Sequence, residues 1–264
     1  MKHILKLTGI AIMALTLSNC KKDTKAPEPE PVTPIVVTPT GTMEVYFDGM
    51  VGDSDLVLST NTYTNLAGNT YSITMVKYYI SNIKLTKSDN SVWVESNSYH
   101  LVDHSNPLST ILSIANVPYG DYKALEFTIG VDSAKNVSGA QAGALDPANG
   151  MFWSWSSGYI MAKVEGVSPQ STASANKLTF HIGGFSGPNS VLKTISPVFP
   201  GTSVATINST VIPKIHLKMD VAEWFEAPSA VDFSTLNTVH MPGISAKTIA
   251  DNYADMFRVD HIHN

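Results

Sequence analysis

Histidine is the residue type in this chain whose number and spacing could do chemistry. His100, His104, His181, His216, His240, His261 and His263 all lie beyond the first twenty residues, in a chain with only 17 Lys and Arg and one Cys. A neutral imidazole is the commonest metal ligand, and its charge changes nearest physiological pH. A single thiol excludes internal disulfides and multi-Cys zinc or iron–sulfur sites, so an ion must be held by imidazole, carboxylate or thioether. His261-Ile262-His263 is the sharpest pattern, because imidazoles at i and i+2 on an extended chain project to one side and can bite one Cu(II) or Zn(II). In Leu178-Thr179-Phe180-His181-Ile182 the apolar residues share one parity, which turns His181 away from the core. Over 211–219 the apolar set is Val211, Ile215, Leu217 and Met219, placing His216 with Lys214 and Lys218 on the opposite face, where a solvated role is expected. His100-Leu101-Val102-Asp103-His104 sets a carboxylate between two imidazoles, but i and i+4 on a strand do not converge without a turn.

Other residues admit other chemistry. Asp48, Asp53 and Asp55 around Gly49 and Gly52 could suggest calcium, yet their spacing is not that of an EF-hand and turn formation accounts for them. Phe152, Trp153, Trp155 and Tyr159 fall within eight residues: a corner of the core, a sugar-stacking platform, or an aromatic wall around a metal or redox centre. There is no G-x-S-x-G elbow, P-loop, H-E-x-x-H or dinucleotide fingerprint. Binding is therefore favoured over catalysis, and no catalytic set is assigned. The net charge of -5, with 15% charged residues, supplies no basic field for phosphates, so nucleic acid is not an expected partner.

These residues need elements to position them. Segments 43–47, 71–86, 91–95, 98–103, 122–131, 158–166, 177–182 and 211–220 are rich in Val, Ile, Thr, Tyr and Phe, and Asn/Asp/Gly/Pro/Ser clusters separate them. The expectation is an all-β fold over residues 42–264: an antiparallel β-sandwich with long loops and one C-terminal helix. Loops 132–150 and 183–210 are long enough to carry binding function. Asp220 to Phe225 fits one short helical turn. Ser245 fits an N-cap, followed by the apolar stripe Ile249, Tyr253, Met256 and Phe257, with Arg258 to Asn264 as a final tail or strand.

The first twenty residues read as an address. Lys2, His3 and Lys6 precede the apolar run Leu7 to Leu17, too short for a permanent span of ~20 residues. Leu17-Ser18-Asn19-Cys20 resembles a bacterial lipobox, so residues 1–20 are expected to be a lipoprotein signal peptide and Cys20 the lipidated residue. Residues 21–41, with Pro27, Pro29, Pro31, Pro34 and Pro39, form a stiff tether at ~3.1 Å per residue. The lysines beside Cys20 resemble those of lipoproteins passed to the outer membrane. The expected location is exported and lipid-anchored at that membrane, on its periplasmic or surface face.

Leu145-Asp146-Pro147, Gly150-Met151-Phe152-Trp153-Ser154-Trp155, Gly158-Tyr159 and Phe180-His181-Ile182-Gly183, with the strand Phe127 to Val131 and Asn136, together resemble the MbnP-like family over residues 42–264. Its members are secreted or lipid-anchored β-sandwich proteins associated with copper. The resemblance implies a periplasmic or surface copper-binding protein. In studied members the site combines His with a Trp that a di-haem peroxidase-like partner oxidises to kynurenine. His181 matches the Phe-His-x-Gly histidine, and Trp93 lies near the family's W-x-H element before Leu101-Val102-Asp103. The chain reads Trp93-Val94-Glu95 without that His, has Val137 after Asn136 where the copper-binding branch has another, and lacks that branch's cysteines. The resemblance thus points to His181 and Trp93 as ligands, with His100, His261 and His263 as further contributors. The alternative is a metal-free module binding glycan or protein through its long loops and the Trp153, Trp155 and Tyr159 cluster.

Overall fold

The computed structural model describes residues 38–154 and 158–264. Its main strands are β1 (Thr40–Val51), β2 (Thr70–Lys87), β3 (Val92–Val94), β4 (Tyr99–Asp103), β5 (Ile111–Pro118), β6 (Gly120–Ile129), β7 (Gly158–Val167), β8 (Lys177–Gly183), β9 (Lys214–Asp220) and β10 (Phe257–His263). Alternation decides how they stack. β1 buries Met43, Val45 and Phe47 and turns Glu44, Tyr46 and Asp48 outward; β9 buries Ile215, Leu217 and Met219 and turns Lys214, His216 and Lys218 outward. β9 lies beside β1 with Tyr46 opposite His216, β10 adds antiparallel to the far edge of β9, and β5 pairs antiparallel with β1. The first sheet therefore runs β10-β9-β1-β5.

The second sheet is built on β2. β2 pairs with β7 along its first half and with β6 along its second, while β4 and β3 take the opposite edge and β8 extends the sheet beyond β7. Between the sheets, Phe47 meets Tyr78, Phe127 and Phe257 edge to face at centroid separations of 6.0, 6.2 and 5.7 Å. Such pairs each contribute roughly 0.5–1.5 kcal/mol beyond the area they bury. The sandwich is thus closed by rings from β1, β2, β6 and β10. Two pairings depart from the antiparallel expectation: β1 with β9, and β8 with the short strand Thr238–Val239, are parallel. Each joins strands far apart in sequence, a connection long enough to reverse direction.

Loop 132–150 packs over the sheet and does not stand open. Tyr79 donates to the Ala144 carbonyl at 3.1 Å and Tyr159 to that of Leu145 at 2.8 Å, which is why Tyr78, Tyr79 and Ile80 are all buried and β2 shows no simple alternation there. The short helix α1 (Ser133–Val137) lies in this loop, with Asp132 capping it through the Lys135 amide. At the C-terminus, α2 (Ile244–Tyr253) buries Ala246, Ile249, Ala250, Asn252 and Tyr253. Its cap is Gly243 and not Ser245: at φ 154 the chain needs glycine's freedom, and no side chain bonds the first turn. The apolar stripe is shared between elements, since Met256 lies after the helix and Phe257 opens β10. The 3-10 turn Val221–Phe225, capped by Asp220 through the Ala222 amide at 3.0 Å, forms where one short turn is expected.

Candidate metal centre

The outer face of the first sheet gathers side chains that sequence leaves apart. The register sets Tyr46 of β1 against His216 of β9, and His216 against His261 of β10, while Lys214 faces His263. All four aromatic side chains have the outward parity; Tyr46, His216 and His261 form one cross-strand row, and His263 stands beside it, two residues along β10. Tyr46 stacks on His216 with centroids 4.4 Å apart at 19°, and His216 stacks on His261 at 4.4 Å and 14°. His263 stands edge-on to both imidazoles, 4.6 Å from His261 and 5.7 Å from His216. One nitrogen from each of His216, His261 and His263 falls within 4.8 Å of the other two.

Carboxylates hold two of these rings. Asp48 Oδ2 accepts from His216 Nδ1 at 2.9 Å, and Asp260 Oδ2 accepts from His261 Nδ1 at 2.7 Å. Lys218 pairs with the other oxygen of Asp260 at 2.8 Å; the hydrogen bonds from Lys218 and His261 hold the Asp260 carboxyl below its usual range. Tyr46 donates to Glu44 at 2.9 Å, and that bond raises the phenol's pKa. Three imidazoles without thiolate suit Cu(II) or Zn(II). Bonds of about 2 Å to such ions need the three nitrogens closer than their 4.8 Å envelope. The His261 side chain, 43% exposed, and the exposed His263 can rotate to supply that contraction. The donor set therefore fits the metal that the family resemblance implies.

The other expected ligands do not join this cluster. His181 on β8 bonds through Nε2 to Glu165 at 2.8 Å. Burial, partly offset by that bond, lowers the His181 pKa. For Glu165 burial acts upward, but His181 and Lys163 outweigh it and the carboxyl is lowered. His100 on β4 gives its Nε2 to Glu95 at 2.8 Å. His100 and His181 sit on strands separated by β2 and β7, three spacings of ~4.8 Å or roughly 14 Å, too far to share an ion. Trp93 pairs opposite Leu85 and packs against the core. At the two positions where the family resemblance implies histidine, Glu95 is tied to His100 and Val137 is 70% exposed hydrocarbon. Among the described residues, the one cluster of three His, Cys, Asp or Glu able to hold an ion is His216, His261 and His263. Of these, His216 is the member that the sequence alone places as a solvated surface residue.

The aromatic segment has a structural role. Trp153 is 7% exposed and lies against Gly183, where a Cβ would come within 2.4 Å of its ring. The glycine of Phe-His-x-Gly is thus the seat of the tryptophan. Tyr159 is 1% exposed, so neither ring forms an open stacking platform; Trp155 lies outside the described residues, as does Cys20. Asn136, 1% exposed, donates to the Val131 and Asp132 carbonyls and accepts from the Tyr159 amide at 3.0 Å, tying loop 132–150 to β7.

Comparison with known proteins agrees with this architecture. A solved structure, MbnP from Methylosinus trichosporium, superposes with a TM-score of 0.52 at 13% identity, covering 78% of this chain and 83% of that one. At that identity it speaks to the fold alone. No curated protein sequence matches. The family model for MbnP matches residues 40–242, well over half of the chain. The chain belongs to the MbnP family.

Proposed function

We propose that this chain is a lipid-anchored, extracytoplasmic copper-binding protein that holds its ion through His216, His261 and His263. The observation that carries the reading is the convergence of these imidazoles from two strands onto one face, with a carboxylate behind two of them. Copper is the metal associated with the family; Zn(II) is the competitor that the same donors would accept. The anchor is Cys20, reached through the Pro-rich tether, and the location is the outer membrane, on its periplasmic or surface face. A di-haem peroxidase-like partner is the companion that the resemblance suggests, with Trp93 as its target. The role is binding, and no catalytic set is assigned.

Elemental analysis of the protein from an oxidising compartment, before and after titration with Cu(II), tests the reading. About one tightly held copper per chain, lost in His216→Ala, His261→Ala and His263→Ala and retained in His181→Ala, is the expected result. Copper retained in all three cluster variants refutes the site. Intact mass on the same sample reads whether Trp93 has been converted to kynurenine.

A further inference from the structure

We infer that Asp48 and Asp260 are positioning residues that fix Nε2 of His216 and His261 as donor atoms and tune the cluster to a divalent ion, an inference that rests on the cluster being a metal site. A carboxylate only accepts, so the imidazole nitrogen facing it carries the proton. At His216 and His261 that nitrogen is Nδ1, which leaves the Nε2 lone pair free. At His100 and His181 the carboxylate takes Nε2 instead, the outermost atom of the ring. The two imidazole pairs of this protein are therefore wired in opposite senses, and only the pair in the cluster is wired for a ligand to approach the tip.

The backbone is shaped for the second carboxylate. On a regular strand Asp260 and His261 would face opposite sides of the sheet. The register between β9 and β10 passes from His216 opposite His261 to Leu217 opposite Val259, so Asp260 is an extra, unpaired residue. This bulge keeps Asp260 on the outer face, where it reaches both His261 and Lys218. Two carboxylates behind neutral imidazoles increase ligand basicity and favour a doubly charged ion over Cu(I). If these contacts were ordinary surface ion pairs, they would contribute little to stability and nothing to metal affinity.

The test uses the full chain, stripped of metal, with Asp48→Ala, Asp48→Asn, Asp260→Ala and Asp260→Asn. Cu(II) and Cu(I) affinities are read by competition, the nitrogen donor set by electron paramagnetic resonance, and folding by the metal-free unfolding midpoint. Each Ala variant is expected to lose about 10–100-fold in Cu(II) affinity at an unchanged midpoint. Each Asn variant keeps an acceptor oxygen but not the charge, so it should lose less, and all should lose less for Cu(I). Parent-like Cu(II) binding in the Ala variants, beside a His216→Ala that has lost it, overturns the positioning role alone. Equal losses for both oxidation states overturn the divalent preference. Parent-like binding in His216→Ala, His261→Ala and His263→Ala removes the metal site itself. If an Ala variant unfolds, its Asn counterpart, which keeps the hydrogen bond, decides.

Discussion

His104 makes the fold sensitive to acid in a way that one substitution should isolate. Its ring is packed against Gly49, where a Cβ would come within 2.9 Å of Nδ1, and its Nε2 faces the hydroxyl of the fully buried Tyr78 at 3.3 Å. Burial lowers its pKa from 6.5 to about 4, against the opposing pull of Asp103 and Asp48. The unfolded chain therefore binds a proton between those values and the folded one does not, so stability falls as pH drops through that window. At about 1.4 kcal/mol per pKa unit, the 2.5-unit difference corresponds to a loss of roughly 3 kcal/mol between pH 7 and pH 4. That is a sizeable share of the ~5–15 kcal/mol typical of a domain. In His104→Gln an amide oxygen can accept from Tyr78 without titrating. Urea unfolding at pH 7, 6, 5 and 4 should show the parent losing about 3 kcal/mol more than the variant. His181, also lowered by burial, and the lowered Glu95 and Glu165 act equally in both proteins and cancel in the difference. Parallel curves for parent and variant, or an NMR titration of His104 near 6.5, would refute the reasoning.

Further perturbations test other parts of the structure. Copper at a hundred times its dissociation constant should stabilise the parent by about 2.7 kcal/mol, and a melting curve with and without Cu(II) should show that gain disappear in His261→Ala. Gly183→Ala forces the Trp153 ring to move from 2.4 Å and should cost roughly 1–3 kcal/mol, read by chemical denaturation together with a shift in Trp fluorescence. Asn136→Ala strands the Val131 carbonyl and the Tyr159 amide, while the Asp132 carbonyl keeps its bond from the residue-136 backbone amide; a loss on the order of 3 kcal/mol, with faster hydrogen exchange across 132–150, is expected.

Side-chain parity can be read from one strand, whereas register needs two. The alternation in 211–219 is enough to turn His216 outward, and i and i+2 spacing is enough to align His261 with His263. Nothing local says that β9 and β10 are neighbours, and without that pairing His216 has the appearance of any solvated imidazole between lysines. One signal was available. Phe257 and Val259 pack inward on odd positions, but the next inward residue is Ile262, so the apolar parity flips across Asp260. A flip of that kind requires an extra residue and predicts the bulge. The same reasoning explains why β5 escapes notice: Leu112 and Ile114 alternate, then Asn116 at φ 61 breaks the period before Val117. Motif matching works differently, because Phe-His-x-Gly also records a packing need. Phe180 and Ile182 fill the core, Gly183 seats Trp153, and His181 takes the outward position that remains and pairs with Glu165. A residue can match a family's pattern because its neighbours must pack, so the search for ligands should follow the donors that the sheet brings together.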